Sequence, residues 1–283
     1  MKNKKNISLF VACIGYGGTE RVVVRFLNEL IVHYNVYLIV FYKNIKLPIH
    51  EDVNIVCLSN KDLHFSNSKL SKTIDFVKCI FKYQKALRKN NIDVSISFLA
   101  RPNIINGISK ILKPKLATII SERCYPSKTY GRFGKALVNY FYNKNDYLFS
   151  NSEHINTDLQ NNFNLNIPAN VIYNPIYTLD ERPNHIAHSN KNETFKIISV
   201  GRLNPVKNQK HLIKTMSLLN KGFKLNFYGI GTLEKELMNL SASLNLEDQI
   251  YFNGTHKDIN SVILDHHCLV LTSLSEGFPN VIL

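Results

Sequence analysis

The hydrophobic positions of this 283-residue chain fall into short unbroken runs separated by longer stretches with helical spacing. The runs at residues 7–13, 36–42, 53–58, 94–99, 116–121, 147–151 and 170–173 are rich in Val, Ile, Leu and Phe and lack strict alternation. Strands covered on both faces read this way, because neither side of the pleat meets water. Between them, apolar residues recur every three or four positions over 20–33, 71–89, 103–112, 132–143 and 155–161, which predicts helices. The alternation predicts an α/β fold with a doubly wound parallel sheet.

A polar stretch at 176–194 breaks this rhythm and is expected to be a linker. A second series then predicts strands at 195–200, 224–228, 250–252 and 268–272, with helices near 208–219, 233–244 and 259–265. The expected organisation is an N-terminal Rossmann-like domain over 1–175, the linker, and a C-terminal Rossmann-like domain over 195–283. Ligands of such open sheets bind at the carboxyl ends of the strands, so the two domains are expected to face a cleft.

Charge changes the picture because it is uneven. Residues 1–150 hold 24 Lys and Arg against 9 Asp and Glu, whereas residues 151–283 hold 11 against 12. A basic first half suits an anionic partner such as anionic lipid, nucleic acid or a phosphorylated acceptor, or a solvated surface with none. The segment 72–89 sharpens this. Ile74, Val77, Phe81 and Leu87 recur at helical spacing, and Lys78, Lys82, Lys85, Arg88 and Lys89 crowd the rest. Such a helix lies on anionic lipid or packs on the sheet with solvated lysines. Arg132, Lys135 and several tyrosines in 125–147 extend the same surface.

Other classes find less support. The five cysteines, Cys13, Cys57, Cys79, Cys124 and Cys268, have no C-x-x-C spacing, and reduced thiols fit better than a disulfide framework. The ten histidines form no H-x-x-x-H set. Neither a P-loop nor a G-x-S-x-G elbow is present. Lys2, Lys4 and Lys5 before an apolar run imitate a signal peptide, but the run is short and leads into a glycine loop, so a first buried strand is expected. No run reaches the ~18 apolar residues of a membrane span.

Two motifs carry the chemistry. In Ser199-Val200-Gly201-Arg202-Leu203-Asn204-Pro205-Val206-Lys207-Asn208, a strand runs into a glycine, then two cations. Gly201 permits a turn and close ligand approach. Arg202 offers a planar fork and Lys207 a compact charge for phosphate oxygens; the plain alternative is two surface cations. In Ser275-Glu276-Gly277-Phe278-Pro279-Asn280, Pro279 suits the first turn of a helix whose free N–H groups favour anions. Glu276 then either caps that helix or accepts hydrogen bonds from sugar hydroxyls.

These segments, in this order, resemble the donor-binding half of family 4 glycosyltransferases, which have the GT-B fold and carry G-R-x-x-x-x-K on one loop and E-x7-E on another. The resemblance implies that Gly201, Arg202 and Lys207 bind the donor diphosphate, and that Glu276 meets the donor sugar with Gly277 and Phe278 beside it. Glu276, Arg202 and Lys207 are the implied catalytic residues. Gly229-Ile230-Gly231 and Asn253-Gly254-Thr255 lie where relatives line the donor site, adding Gly229, Gly231, Gly254 and Thr255. Gly15-Tyr16-Gly17-Gly18-Thr19-Glu20 matches the family's glycine-rich loop, with tight packing as the plain reading of its glycines. Ser121-Glu122-Arg123-Cys124-Tyr125-Pro126 resembles the S-E-R-N-x-P form of relatives that build bacterial surface polysaccharides. Gly17, Gly18, Glu122 and Arg123 are therefore expected on the acceptor side, although Glu122 and Arg123 also suit an internal ion pair. Asn174-Pro175 ends the first domain as in relatives.

The chain departs from the pattern at its end. The family's second glutamate would follow Leu283, so the donor domain is expected to be truncated. The expected function is a retaining transferase moving a hexose or N-acetylhexosamine from a nucleotide sugar, UDP-linked, to a lipid-linked saccharide in capsule, O-antigen or related glycan synthesis. It is expected in the cytoplasm at the inner face of the plasma membrane, with the nucleotide sugar as substrate, no cofactor or metal, and no nucleic-acid partner. The alternative is an inactive remnant that binds acceptor lipid or a partner enzyme.

Overall fold

The computed structural model describes residues 4–59, 69–175 and 194–282, and the side chains within these apart from 69–73. The expected linker lies outside the described residues except for Thr194. Contacts divide the chain into two compact units, Met1–Pro175 and Ile176–Leu283.

In the first unit the elements run β1 (Asn6–Val11), α1 (Gly18–Leu30), β2 (Asn35–Tyr42), β3 (Asn54–Ser59), α2 (Lys69–Lys89), β4 (Val94–Phe98), α3 (Ala100–Leu112), β5 (Ala117–Glu122), the single turn α4 (Pro126–Thr129), α5 (Arg132–Tyr142), β6 (Tyr147–Ser150), α6 (Glu153–Asn162) and β7 (Ala169–Val171). The seven strands are parallel in the order β3-β2-β1-β4-β5-β6-β7, so the winding direction reverses between β1 and β4. The unbroken apolar runs have their reason here. Leu9 and Val11 enter one core with Val23, Leu27 and Leu38, while the intervening Phe10 enters another with Ile39, Tyr83 and Leu87. Alternate side chains thus point to opposite faces and both faces are packed.

Helix α2 packs differently from its sequence pattern. Its core face is Phe76, Cys79, Ile80, Tyr83, Ala86 and Leu87. Tyr83 stacks on Phe10 with centroids 4.0 Å apart, and its hydroxyl meets Ser95 Oγ at 2.5 Å. Of the four apolar positions singled out earlier only Leu87 is buried; Ile74, Val77 and Phe81 are exposed, Phe81 by 71%. Lys78, Lys85, Arg88 and Lys89 share that outer face, as does Lys82, whose ammonium holds the Leu58 carbonyl at 2.7 Å.

The second unit comprises β8 (Phe195–Val200), a 3-10 turn (Pro205–Lys207), α7 (Gln209–Met216), β9 (Phe223–Tyr228), α8 (Glu234–Ser243), β10 (Ile250–Phe252), α9 (Ile259–Leu264) and β11 (Cys268–Leu269). Its parallel sheet has the order β10-β9-β8-β11 over a core of Ile197, Leu203, Leu212, Ile213, Met216, Leu225, Phe227 and Leu237. Two elements are shorter than expected: helix α7 ends at Met216 and β11 ends at Leu269. After Pro279, residues 280–282 form a turn closed by Ile282 N–H on the Pro279 carbonyl at 3.1 Å.

Candidate functional site

In the second unit, the expected donor-site residues collect where β8, β9 and β10 end. Beyond β8 the backbone keeps pairing with the loop after β9: Gly201 N–H bonds the Tyr228 carbonyl at 2.9 Å and Leu203 N–H the Ile230 carbonyl at 3.2 Å. Gly229 N–H bonds the Gly254 carbonyl at 2.6 Å, which joins the third loop. The glycines of 229–231 are explained by this weave. A Cβ on Gly229 would fall on the Gly201 carbonyl oxygen, and one on Gly231 on the Leu203 carbonyl. Gly229 also has φ +144° and Gly254 φ +64°, conformations that L side chains resist. A Cβ on Gly254 would meet nothing, and Thr255 beside it is exposed.

The Arg202–Asn208 loop is tied from four sides. Asn204 Oδ1 accepts from Lys207 N–H at 3.1 Å and caps the 3-10 turn. Buried Gln209 donates from Nε2 to the Arg202 carbonyl at 2.8 Å. Thr272 Oγ1 reaches the Lys207 and Asn208 carbonyls at 3.0 and 3.1 Å, and Leu274 N–H bonds the Val206 carbonyl at 2.8 Å. The last two bonds lay segment 272–276 along the loop, and the Lys207 ammonium donates to Glu276 Oε1. That ion pair keeps 23% and 26% side-chain exposure, and the Lys207 stem lies over Gly201, where a Cβ would stand 3.2 Å from Cε. Arg202 is exposed at the same edge, and Gly277 and Phe278 continue from Glu276, partly buried. Cations, a carboxylate and backbone without side-chain cover therefore share one rim. Such a set can hold a phosphate ester and the hydroxyls attached to it. The tether Thr272 carries no motif signal, because its role depends on a loop some 65 positions earlier, whereas Gln209 acts locally, on Arg202 seven positions before it.

The first unit holds another polar cluster. Glu122 at the end of β5 is fully buried. Tyr142 Oη donates to Oε2 at 2.7 Å, and Arg123 N–H and Cys124 Sγ donate to Oε1 at 3.1 and 3.3 Å. Burial pushes the Glu122 carboxyl above its ordinary value despite these donors. The same burial lowers the Arg123 guanidinium to about 10, opposed by the Glu122 charge, so it stays protonated near neutrality. Arg123 Nη2 donates to Asn174 Oδ1, while its Nε and Nη1 are buried without hydrogen-bond partners. Arg25 of α1 donates to the neighbouring Pro175 carbonyl. The Asn174-Pro175 exit of the unit is thus gripped by two arginines. Beside this cluster, Leu99 N–H bonds the Ser121 carbonyl at 3.0 Å with Leu99 at φ 70°, ψ 164°. That region is almost reserved for glycine and costs about 1–3 kcal/mol. Nothing in the sequence signals it.

At Gly17 and Gly18, which open α1, the Glu20 carboxylate folds back into the space a Gly17 Cβ would need. The helix start is therefore covered by its own acidic side chain, a favourable arrangement for the dipole.

A parallel α/β architecture whose second unit ends in this rim of glycines, cations and a carboxylate suits an enzyme that handles phosphorylated sugars, and comparison with known proteins gives the class. Residues 180–283 match the family model described as "Glycosyl transferases group 1". The chain is 30% identical over 99% of its length to N-acetylgalactosamine-N,N'-diacetylbacillosaminyl-diphospho-undecaprenol 4-alpha-N-acetylgalactosaminyltransferase of Campylobacter jejuni, covering 77% of that relative. A second relative from that organism, GalNAc-alpha-(1->4)-GalNAc-alpha-(1->3)-diNAcBac-PP-undecaprenol alpha-1,4-N-acetyl-D-galactosaminyltransferase, is 26% identical over 98% of this chain and 75% of its own. Among solved structures, Anabaena HepE in complex with UDP and glucose matches with TM-score 0.74 and 15% identity, over 98% of this chain and 77% of that one. The chain belongs to the group 1 glycosyltransferases and has the GT-B fold. It is a glycosyltransferase.

Proposed function

We propose that this enzyme moves an N-acetylhexosamine or hexose from a UDP-sugar to a saccharide carried on a polyprenyl diphosphate, with retention of anomeric configuration, during surface-glycan synthesis. The observation that carries the reading is the Lys207–Glu276 pair beside Gly201 and Arg202 at the strand ends of the second unit. Both Campylobacter relatives bear names with undecaprenyl-linked acceptors, and HepE was solved with UDP. Arg202 and Lys207 neutralise the diphosphate as it departs, and Glu276 accepts from sugar hydroxyls. The Gly277–Phe278 backbone flanks the sugar, while Gly229, Gly231, Gly254 and Thr255 bound the nucleotide side. The acceptor hydroxyl forms its bond to the anomeric carbon on the face from which the phosphate leaves. The C–O bond to phosphate breaks, and the acceptor proton passes to the leaving oxygen. On the acceptor side, Gly17 and Gly18 offer backbone once the Glu20 carboxylate that covers them swings aside, and Glu122 with Arg123 shapes the loop after β5 from within.

The reading places the enzyme at the cytoplasmic membrane surface. Among the described residues no helix is long and apolar enough to cross a membrane. The outer face of α2 supports a peripheral site, because Ile74, Val77 and Phe81 stand exposed among lysines and an arginine. A groove of 510 Å³ lined by Phe81, Lys85, Arg88 and Leu112 continues that face toward α3. The test of the function is transfer from UDP-N-acetylgalactosamine or UDP-glucose to a polyprenyl-diphosphate saccharide by the protein and its Arg202→Ala and Lys207→Ala variants. Each variant is expected to lose at least about a hundredfold in kcat/KM while melting normally. Unchanged turnover refutes the assignment.

A further inference from the structure

We propose that the Lys207–Glu276 pair makes the donor site discriminate between a sugar-bearing nucleoside diphosphate and the bare nucleoside diphosphate left after transfer. The inference rests on the donor-site reading above. It starts from how closely the backbone sets the two side chains together. The Lys207 stem is laid over Gly201, and the Lys207 carbonyl is held by Thr272. Glu276 follows a segment fastened to the same loop through Leu274 N–H. The backbone on both sides is therefore tethered so that the carboxylate stands one hydrogen bond from the cation that phosphate needs.

An ammonium has three donors, so Lys207 can bond a phosphate oxygen while keeping Glu276. Two anions then share one cation at close range, and like charges in such a partly buried place repel. A sugar-bearing donor offsets this. Its hydroxyls sit next to the diphosphate and donate to Glu276, replacing part of what Lys207 gave. A bare nucleoside diphosphate brings no such donor and meets only repulsion. One side chain thus favours the substrate and hastens departure of the product.

Titration calorimetry tests this on the protein, Glu276→Gln and Glu276→Asp, with UDP, inorganic pyrophosphate, UDP-N-acetylgalactosamine and UDP-glucose as probes. Glu276→Gln is expected to bind UDP and pyrophosphate about 3- to 10-fold more tightly, because it removes a like charge beside the phosphate. It is expected to bind the sugar donor no better, so the preference for donor over UDP collapses. Glu276→Asp keeps the charge and should hold UDP affinity within about twofold of the parent. Glu276→Ser serves as the neutral variant should the glutamine form fold poorly. If the neutral variants bind UDP and pyrophosphate no more tightly than the parent, the discrimination proposal is wrong. Lys207→Ala separates that failure from a deeper one. Should it leave UDP and pyrophosphate affinity unchanged, Lys207 is not a phosphate ligand and the donor-site reading itself falls.

Discussion

The glycines at the ends of β9 and β10 separate backbone packing from ligand approach, and alanine substitution measures the difference. At Gly229 two costs add. Its φ of +144° is unfavourable for alanine, worth about 1–3 kcal/mol. The new Cβ also lands on the Gly201 carbonyl oxygen, a backbone atom paired into the same weave, and overpacking of that kind costs about 1–3 kcal/mol more. Gly229→Ala is therefore expected to destabilise by about 2–6 kcal/mol. Gly231→Ala meets the Leu203 carbonyl without a positive φ, so only the packing cost of about 1–3 kcal/mol applies. Gly254→Ala has φ +64° but open space around its Cβ, so it carries only the left-handed cost of about 1–2 kcal/mol. Calorimetric melting reads all three, at about 2–4 °C for each kcal/mol. The order Gly229 worst, with the other two milder, is the signature of backbone packing. Wild-type melting of Gly229→Ala, or a larger loss at Gly254 than at Gly229, would refute the account of the weave.

Other perturbations probe the first unit. Tyr142→Phe removes the hydroxyl that donates to buried Glu122, and urea unfolding should show a loss of about 1–3 kcal/mol; a loss within error would mean the carboxyl does not depend on it. Asp146 is pushed up by burial but held below its ordinary 3.8 by Lys110 and Thr118, so its folded value is depressed. Its contribution is present above the unfolded value and drains away as pH falls through the folded one. Asp146→Asn should therefore flatten the stability loss below about pH 4, measured by thermal melts across acid buffers. Phe81→Asp removes an exposed apolar anchor from α2 and should weaken cosedimentation with anionic vesicles about tenfold, whereas equal binding would place the membrane contact elsewhere.

The legibility of the fold in the sequence follows a physical divide. Strands such as β1 and β2 were readable because both faces of the sheet are covered, which leaves no polar alternation to confuse them. Helix α2 was readable as a helix, but not in its facing. Its sequence holds two apolar stripes, and the one with the more regular spacing, Ile74-Val77-Phe81, is the exposed one. The buried stripe includes Tyr83, whose hydroxyl needs Ser95 from another element before burial becomes acceptable. The glycines of 229–231 were visible, but the carbonyls that require them belong to a loop some thirty positions earlier. Likewise Glu122 and Arg123 were visible, yet their donor Tyr142 and acceptor Asn174 come from α5 and the unit's last residues.

Near the strand ends each unit holds a carboxylate and a cation, but Glu276 bonds Lys207 whereas Glu122 takes its bonds from Tyr142, the Arg123 backbone and Cys124. Glu122 and Arg123 are sealed, with exposures of 0% and 7%, and the guanidinium is committed to Asn174. A guanidinium buried and held this way is costly to release, so Arg123 is suited to holding the chain exit at Asn174-Pro175 rather than to trading partners. Lys207 and Glu276 are each about a quarter exposed, and the lysine ends in a rotatable ammonium. Water and ligand can reach that pair, so its bond exchanges at modest cost. Burial thus separates a fixed contact at the exit of the first unit from an exchangeable ion pair at the rim of the second.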